Sequence, residues 1–395
     1  EVINELSNMA VTVKSIPSYS EYLEKDKLVL EELSAADILG REERKYSDNN
    51  LVKFFQNKSV LITGAGGSIG AELAKSLASV GAANLIFLDS SEFNLYKLQE
   101  FFGAYKNPVN VNFELADIRD KKRLDKIFDK YKPKIVFHAA AYKHVPLLEE
   151  STNFVEAIKT NIIGSKNVAE LSQNHNCERF IFVSTDKAVR PTNLMGATKR
   201  LSERLIATMA KNSKTIYSSV RFGNVLKSSG SVIPKFKEQI EKGGPVTVTH
   251  PEMTRYFMTI NEAALLVINA GMMAKTYDTF LLKMGEPVRI YDLAKKMINL
   301  YGLDVIENGS EKKGIEIIFT GLRSGEKKYE ELLVSGNEKT TDNKLIFRDQ
   351  CSSALNSKEF LSIENQLNKI IDTNDIVSFK NLASQYAEYG EEDSL

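Results

Sequence analysis

Cysteine is scarce in this chain, which has only Cys177 and Cys351 among 395 residues. Neither lies in a CxxC pair or a Cys/His cluster, so the sequence predicts no metal site and no disulfide framework. Cys177 precedes an apolar strand and is expected to be a buried packing residue. This cysteine usage is typical of a protein in a reducing, cytosolic environment.

The chain also lacks a surplus of charge and a long hydrophobic run. Lys+Arg and Asp+Glu both number 52, so no basic excess favours a nucleic-acid partner. No apolar run approaches the ~20 residues that cross a bilayer, and no signal peptide is visible. The sequence begins at Glu1 rather than Met; we interpret it as a fragment or processed chain, which leaves room for an upstream membrane anchor.

From Lys58 onward, short β-branched runs alternate with helical stretches. Alternation of this kind indicates βαβ units and a parallel sheet. The sequence therefore predicts an α/β protein with a doubly wound, Rossmann-type sheet.

The regularity of this pattern sets the expected domain boundaries. Residues 1–57 are interpreted as a linker from a missing N-terminal region, and residues 58–225 as a dinucleotide-binding domain whose sheet is completed by part of 226–285. Residues 226–345 mix loops, short strands and helices, as expected of a smaller, interleaved cap that binds the substrate. Residues 346–395 are predicted to be a helical extension.

A glycine-rich turn, "TGAGGSIG" at residues 63–70, follows an apolar strand and opens a helix. Such a turn lets backbone N–H groups approach a pyrophosphate at the positive end of the helix, although a plain tight turn is the alternative. Asp89 ends the next strand, where a carboxylate accepts the ribose hydroxyls of NAD and repels the extra phosphate of NADP; alternatively it caps the following helix. Asp117 is placed to meet the adenine. The predicted cofactor-binding residues are Gly64, Gly67, Ser68, Ile69, Gly70, Asp89, Ser90, Asp117, Ile118, Ala139, Ala140, Ala141 and Lys199.

A second stretch, "STDKAVRPTNLMGATKR" at residues 184–200, follows another apolar strand. Most of this stretch looks like the catalytic end of a dehydrogenase domain, with Lys199 on a helix where a nicotinamide ribose would lie. Four residues earlier, dehydrogenases of this type carry a tyrosine that takes a hydroxyl proton, but here the residue is Met195, whose thioether cannot transfer a proton. Either the chemistry is lost or it has moved to the hydroxyl, acid and amine of Thr185, Asp186 and Lys187; a surface turn with an ion pair is the alternative for these three.

Several stretches together carry a family resemblance, and they occur in order between about residues 58 and 335. The chain resembles the extended short-chain dehydrogenase/reductases that act on nucleotide sugars, and more narrowly the UDP-N-acetylglucosamine 4,6-dehydratases of the polysaccharide-biosynthesis group. The matching stretches are "TGAGGSIGAEL", "HAAAYKHVPLLE", "VSTDKAVRPTNLMGATKR", "RFGNVLKSSGSVIPKF", "HPEMTRYFMTI" and "GLRSGEKKYEELL".

Methionine in place of the tyrosine is a feature of the long members of this group, which carry N-terminal transmembrane helices and an extra domain. The segment "IPSYSEYL…DILGRE" also resembles the link that follows that extra domain. The chain is thus similar to the soluble catalytic part of a long member. The resemblance points to the enzymes that start bacillosamine synthesis for bacterial protein glycosylation, at the cytoplasmic face of the inner membrane.

The resemblance implies an NAD-dependent dehydration of UDP-N-acetylglucosamine to a 4-keto-6-deoxy sugar. C4 is oxidised, water leaves across C5–C6 and the hydride returns to C6, with C5 configuration retained. Lys187, with its pKa lowered by desolvation, is the expected C5 base, and Asp186 the acid that protonates the C6 hydroxyl. The C4 hydroxyl proton passes to Thr185 and a water or to an ionised Asp186, and the sequence leaves this choice open. Lys199 completes the expected catalytic set.

Further residues are expected to hold the UDP-sugar and to support the site. Asn161 is expected to hold a water or the helix backbone behind Lys199, or else to be a plain helix residue. The residues implied to bind the substrate, including the "SSGSV" loop at 228–232, are Lys143, Asn224, Ser231, Val232, Arg255, Arg323 and Glu326.

We expect a homo-oligomer, no nucleic-acid partner, and no membrane contact by this part of the protein. Two alternatives remain open: a nucleotide-sugar 4-epimerase, and a catalytically inactive NAD-binding module. Met195 favours the inactive module, whereas the retained Lys199 and the Asp186–Lys187 pair argue against it.

Overall fold

The computed structural model divides the chain into two units. The first comprises 1–45, 224–259 and 285–323, and the second comprises 46–223, 260–284 and 324–395. Within them the structure describes residues 5–6, 9–15, 31–32, 49–105, 109–150, 152–226, 228, 231–306, 314–331, 338–349 and 354–390. Cys351, most of the predicted linker 1–57, and positions 229 and 230 of the "SSGSV" loop lie outside the described residues.

The strands are short and are numbered in chain order. They are β1 Lys14–Ser15, β2 Glu31–Glu32, β3 Ser59–Thr63, β4 Asn84–Asp89, β5 Asn110–Leu115, β6 Ile135–His138, β7 Arg179–Val183, β8 Ile216–Arg221, β9 Asn224–Val225, β10 Val246–Val248, β11 Thr254–Arg255, β12 Phe257–Met258, β13 Tyr277–Leu282, β14 Val288–Arg289, β15 Asp304–Ile306, β16 Gly314–Phe319, β17 Lys339–Thr340 and β18 Ile346–Asp349.

The α-helices are numbered in the same way. They are α1 Asn49–Phe55, α2 Ser68–Ser79, α3 Glu92–Gly103, α4 Lys121–Tyr131, α5 Val145–Leu148, α6 Asn153–Ala157, α7 Ser165–Asn174, α8 Leu194–Ala210, α9 Val232–Glu241, α10 Ile260–Met273, α11 Ile290–Leu300, α12 Ser357–Thr373 and α13 Ile376–Ala387. A π-helical turn at Ile158–Gly164 joins α6 to α7, and a 3₁₀ turn at Asp186–Ala188 follows β7.

The second unit contains the large sheet. Among the described residues its strand order is β17-β18-β13-β8-β7-β6-β3-β4-β5, and the pairs from β13 through β8, β7, β6, β3 and β4 to β5 are parallel. Both faces are covered by helices, so apolar strand residues such as Leu61 and Phe182 are fully buried. The predicted α/β fold with a doubly wound parallel sheet is confirmed.

The sheet continues beyond the boundary that the sequence indicated. The strand β18, residues 346–349, pairs antiparallel with β13, so these residues belong to the sheet and not to the predicted helical extension. The extension itself begins with α12, whose first turn is fixed by a capping box between Asn356 and Glu359. Leu367 on α12 and Phe379 on α13 pack in one apolar cluster with Leu201 of α8, so these helices support the helix that carries Lys199.

The first unit has its own small core. Its three-stranded sheet has the order β10-β16-β15, with parallel pairs. Phe236 of α9 and Leu293 of α11 are buried with Val246 and Ile315 of this sheet. Two-residue strand pairs, β1 with β2, β9 with β12 and β11 with β14, also belong to this unit. Throughout the described part of the chain, no helix combines the length and the apolarity needed to span a bilayer.

Cys177 agrees with its predicted role. Its side chain is 2% exposed, and its thiol donates a hydrogen bond of 3.0 Å to the Pro133 carbonyl. Burial raises the pKa of this thiol to about 12, so it stays protonated and unreactive at neutral pH. Among the described residues, no cluster of His, Cys, Asp and Glu side chains is suited to a metal ion.

Candidate active site

The glycine turn between β3 and α2 is shaped by close backbone contacts. Gly64 has a φ of +67°, and a Cβ there would lie 2.6 Å from the Ala140 nitrogen. A Cβ on Gly70 would lie only 2.0 Å from the Gly64 carbonyl oxygen. Gly66, which the sequence analysis did not single out, is equally constrained, because its Cβ would lie 2.5 Å from Asn94 Cβ. Only glycine fits these three positions without rearrangement.

Asp89 at the end of β4 holds this turn in place. Its Oδ2 accepts a hydrogen bond of 2.8 Å from the Gly66 N–H, and its Oδ1 accepts one of 2.8 Å from the Ser91 N–H. Ser91, not Asp89, is the N-cap of α3, and its hydroxyl accepts from the Asn94 N–H. The alternative interpretation of Asp89 as a helix cap is therefore wrong.

An open pocket of about 250 Å³ lies at this end of the sheet. Asp117 on its wall forms an ion pair of 2.6 Å with Arg119, and hydrogen bonding to Arg119 lowers the Asp117 pKa. Ser68 and Ile69 begin α2 beside the pocket's glycines. Most of the predicted cofactor-binding residues meet here: the lining includes Gly64, Gly67, Asp89, Ser90, Asp117, Ile118, Ala139, Ala140 and Ala141.

The pocket combines small side chains, backbone next to a helix N-terminus, and a carboxylate beside the turn. Small residues leave space for a flat ring, and a helix N-terminus favours a phosphate. A carboxylate accepts hydrogen bonds from hydroxyl groups such as those of a ribose. The residues therefore fit the adenosine and pyrophosphate of a dinucleotide.

The hydroxyl, acid and amine of the "STDK" motif form one connected group after β7. The Thr185 hydroxyl donates a hydrogen bond of 2.9 Å to Asp186 Oδ1 and accepts one from the Lys187 N–H. Lys187 Nζ lies 3.1 Å from Asp186 Oδ1 and 3.4 Å from Glu330 Oε1. Glu330 was missed by sequence reasoning, since its only signal was an acidic residue in "GEKKYEELL", about 140 residues from the motif.

Asp186 is a buried acid whose environment disfavours ionisation. It is 2% exposed, and its Oδ2 has no hydrogen-bond partner among the described residues. Burial raises the Asp186 pKa, and the nearby charge of Glu330 raises it further, against the opposite influence of Lys187 and Thr185. The interpretation of this motif as an exposed surface turn is therefore wrong.

Lys199 is also buried, at 5% exposure. Its Nζ donates a hydrogen bond of 2.9 Å to the Val183 carbonyl and lies 4.3 Å from the centroid of the Phe182 ring. Burial lowers the Lys199 pKa to about 7. This amine therefore exchanges a proton near neutral pH, and it is tied to the strand that leads into the "STDK" motif.

A buried ion network fixes the same strand end to α8. The Ser184 hydroxyl donates a hydrogen bond of 2.6 Å to Glu203 Oε1, and Arg221 contacts both carboxylate oxygens of Glu203. Burial alone would raise the pKa of Glu203, but Arg221 holds it below its usual value. Residues 184 and 203 are thereby locked together, which sets the spacing between the motif and Lys199.

Asn161 connects the loop after β6 to α8. Its side-chain amide accepts from the Tyr142 N–H at 2.8 Å and donates to the Tyr142 carbonyl at 3.0 Å. The same amide donates to the Thr198 hydroxyl, beside Lys199. Asn161 is fully buried in the π-helical turn. It connects the Tyr142 backbone to α8 through these hydrogen bonds, so it is not a plain helix residue.

Met195 occupies the position of the expected tyrosine and is 4% exposed. It packs in a small apolar cluster with Leu148, Ala157 and Val145. No acid or base stands at this position, so a proton acceptor must be found elsewhere in the site.

The residues expected to bind the UDP-sugar divide between the two units. Asn224 lies in β9, Ser231 and Val232 lie at the start of α9, Arg255 lies in β11, and Arg323 ends the first unit. Lys143 and Glu326 belong to the second unit, where Lys143 is exposed in the loop after β6 and Glu326 is partly buried. Arg255 is 7% exposed, and its guanidinium donates to the Thr254 carbonyl.

The fold and these motifs can be compared with known proteins. A family model described as polysaccharide biosynthesis protein matches residues 60–350. The probable polysaccharide biosynthesis protein EpsC of Bacillus subtilis is 46% identical over 83% of this chain and 54% of its own length. The capsular polysaccharide biosynthesis protein CapD of Staphylococcus aureus is 45% identical over 84% of this chain and 55% of its own length.

One solved structure is similar in both sequence and fold. The X-ray structure of Pen from Bacillus thuringiensis has a TM-score of 0.67 and 36% identity, and the match covers 75% of this chain and 88% of that one. A UDP-glucose 4-epimerase from Thermus thermophilus shares the fold at a TM-score of 0.57 and 21% identity, covering 70% and 90% of the two chains.

The chain belongs to the polysaccharide biosynthesis protein family, because the family model matches well over half of it. It spans about half the length of the curated relatives EpsC and CapD.

Proposed function

We propose that this chain is the catalytic part of an NAD-dependent UDP-N-acetylglucosamine 4,6-dehydratase. The observation that carries the proposal is the buried Thr185–Asp186–Lys187 group, in which an acid with a raised pKa lies 3.1 Å from an amine. A 4-epimerase needs one acid/base group for C4, whereas elimination of water across C5–C6 needs an acid and a base together.

The cofactor in this proposal is NAD. It would bind in the pocket that includes Asp89, whose carboxylate would repel the additional phosphate of NADP. When bound, NAD supplies an acceptor for the C4 hydride and returns that hydride to C6. If mostly NADP appears in the supernatant of the denatured protein, this choice of cofactor is wrong, and Asp89→Ala should loosen the preference for NAD.

The protein's side chains would move the protons. Lys187 takes the C5 proton once C4 is a ketone, and Asp186 protonates the departing C6 hydroxyl, so that one water leaves. Lys187 then returns a proton to C5 as C6 receives the hydride. The net change is the loss of one water, with no change in redox state.

The structure also favours a route for the C4 hydroxyl proton. Because the Thr185 hydroxyl donates to Asp186 Oδ1, a proton taken up at Thr185 can pass to an ionised Asp186. Asp186 would then receive, during the oxidation at C4, the proton that it later donates to the C6 hydroxyl. Lys199, held at Val183, would bind the nicotinamide ribose and, in its protonated form, add positive charge near the substrate.

For the UDP-sugar, we propose Lys143, Asn224, Ser231, Val232, Arg255, Arg323 and Glu326 as ligands, with the arginines on phosphate and uridine because a guanidinium matches phosphate geometry. The family assignment and the resemblance support a role of the product in glycan synthesis, with bacillosamine for protein glycosylation as the destination. A homo-oligomer and attachment of the whole protein at the cytoplasmic face of the inner membrane remain predictions.

The test is to incubate the protein with UDP-N-acetylglucosamine and to determine the mass and structure of the product. Loss of one water supports the dehydratase. An isomer of unchanged mass would indicate an epimerase, the activity for which a Rickettsia rickettsii relative with 35% identity is named. No conversion would favour an inactive NAD-binding module. In D₂O the dehydrated product should carry deuterium at C5, in retained configuration, while the hydride at C6 comes from C4 of the same sugar.

A further inference from the structure

Lys187 has a second carboxyl neighbour that the proposed mechanism does not yet use. Glu330 Oε1 lies 3.4 Å from Lys187 Nζ and comes from a segment about 140 residues further along the chain. The Glu330 side chain is 5% exposed and that of Lys187 is 21% exposed. A carboxyl group this buried beside an amine interacts more strongly than a surface ion pair does.

The segment that carries Glu330 is fastened to the loop that follows the "STDK" motif. The Gly325 carbonyl accepts hydrogen bonds of 3.2 Å from the side chains of Thr192 and Asn193. Further along, Lys327 Nζ donates to the Val189 carbonyl, and Arg190 pairs with Glu331. These contacts hold the segment in place before and after Glu330. The position of Glu330 is therefore set by the fold and not by its ion pair with Lys187 alone.

We propose that Glu330 is a positioning residue of the active site, which holds the Lys187 amine beside Asp186 and stabilises the ammonium that forms when Lys187 takes a proton. The role in catalysis rests on the proposed dehydratase function, whereas the contact itself does not. Glu330 is not expected to touch the sugar.

The charges explain why a second carboxylate is useful. The proton that leaves C5 arrives on Lys187 and creates a positive charge there, and a carboxylate at 3.4 Å stabilises that charge without having to move. The same negative charge raises the proton affinity of Asp186, which favours its uptake of the C4 hydroxyl proton and its retention of that proton until the C6 hydroxyl leaves. The charged and polar groups facing Lys187 include Asp186, Thr185 and Glu330. Those near Glu330 on its own segment include Lys327, Lys328, Tyr329 and Glu331, the last of which pairs with Arg190.

The experiment compares Glu330→Gln with Glu331→Gln. Both variants remove one carboxylate from the same segment and keep its shape, but Glu331 pairs with Arg190 and Lys327 instead of Lys187. A glutamine at position 331 keeps an amide oxygen that accepts a hydrogen bond from Arg190, so the segment should stay in place. The rate at which acetic anhydride labels Lys187 is measured by peptide mass spectrometry as a function of pH, which requires no turnover. Circular dichroism checks that each variant is folded.

In Glu330→Gln, the midpoint of Lys187 labelling should fall by about one pH unit, the lower end of the effect of an opposite charge within hydrogen-bonding range. The acidic limb of the kcat profile should move in the same direction, and Glu331→Gln should leave both unchanged. An unshifted midpoint in folded Glu330→Gln, or equal shifts in both variants, would overturn the proposal.

Two further results keep the test decisive. If Glu330→Gln does not fold, Glu330→Asp withdraws the carboxylate by one methylene and should give a smaller shift of the same sign; an unshifted midpoint there overturns the proposal. If the midpoint shifts as expected in a protein that releases no water from UDP-N-acetylglucosamine, the proposed function fails while the Glu330–Lys187 contact is supported.

Discussion

The cofactor pocket and the "STDK" motif lie in the same unit but are built in different ways. In the pocket, the carboxylate of Asp89 is satisfied by two backbone N–H groups, and the turn depends on glycines that leave no room for a Cβ. At the motif, Asp186 is buried with one oxygen unpartnered among the described residues, and its pKa is raised. The first region fits a dinucleotide, and the second holds a buried acid, whose ionisation is disfavoured, beside an amine.

The largest effect is expected from variants that abolish proton transfer at the motif but keep NAD binding in the pocket. Lys187→Ala and Asp186→Asn should each lower the dehydration rate by at least ~10²-fold, the usual contribution of a general acid or base. Both variants should still retain NAD, measured in the supernatant after denaturation, because neither residue lines the pocket at Asp89. Turnover of either variant near the wild-type rate would refute its assigned role.

The converse experiment removes binding at the turn. Gly70→Ala places a Cβ 2.0 Å from the Gly64 carbonyl oxygen, so the turn must shift, and bound NAD should be lost. Gly103→Ala is the matched control, since nothing lies within 4 Å of its added Cβ and alanine suits a helix end. NAD content is measured for both purified variants; full NAD content in Gly70→Ala would show that the turn does not determine binding.

A smaller effect is expected at the position of the missing tyrosine. Met195→Tyr should be neutral or slower, because Met195 is packed with Leu148 and Ala157 and overpacking typically costs ~1–3 kcal/mol. Met195→Ala should keep substantial activity.

Thr185→Val should be the more damaging change, because it keeps the shape but removes the hydroxyl that donates to Asp186. Steady-state rates of the three variants decide the order. A large gain of activity in Met195→Tyr would instead show that the wild-type site is degenerate and would favour the inactive module.

The smallest effect concerns stability at the motif. Since the Asp186 pKa is raised in the folded protein, the folded state binds more protons than the unfolded state between the ordinary carboxyl value of about 4 and the raised value. Stability therefore falls as the pH rises through that window. Asp186→Asn cannot ionise, so its Tm relative to wild type should increase from about pH 4 upward in thermal unfolding. A Tm difference independent of pH would contradict the burial argument.

Local sequence patterns were sufficient for the parallel part of the sheet and for the glycine turn. Short β-branched runs that alternate with helical stretches predict strands such as β3 and β7. The spacing of Gly64, Gly67 and Gly70 marks a turn between a strand and a helix. These features depend on neighbouring residues, so they can be inferred without knowing what packs against them. The strand β18 was missed because its four residues gain their place only by pairing with β13, more than 60 residues earlier.

The sequence alone determined the fold class and the residue types at the motif: a hydroxyl, an acid and an amine in Thr185, Asp186 and Lys187, with Met195 unable to replace them. Tertiary structure alone decided how those groups behave. Asp186 is buried in the folded protein, and Glu330 approaches Lys187 from a segment about 140 residues further along the chain. Both desolvation and charge interaction depend on distance in space, and that distance is set by packing that no local pattern encodes.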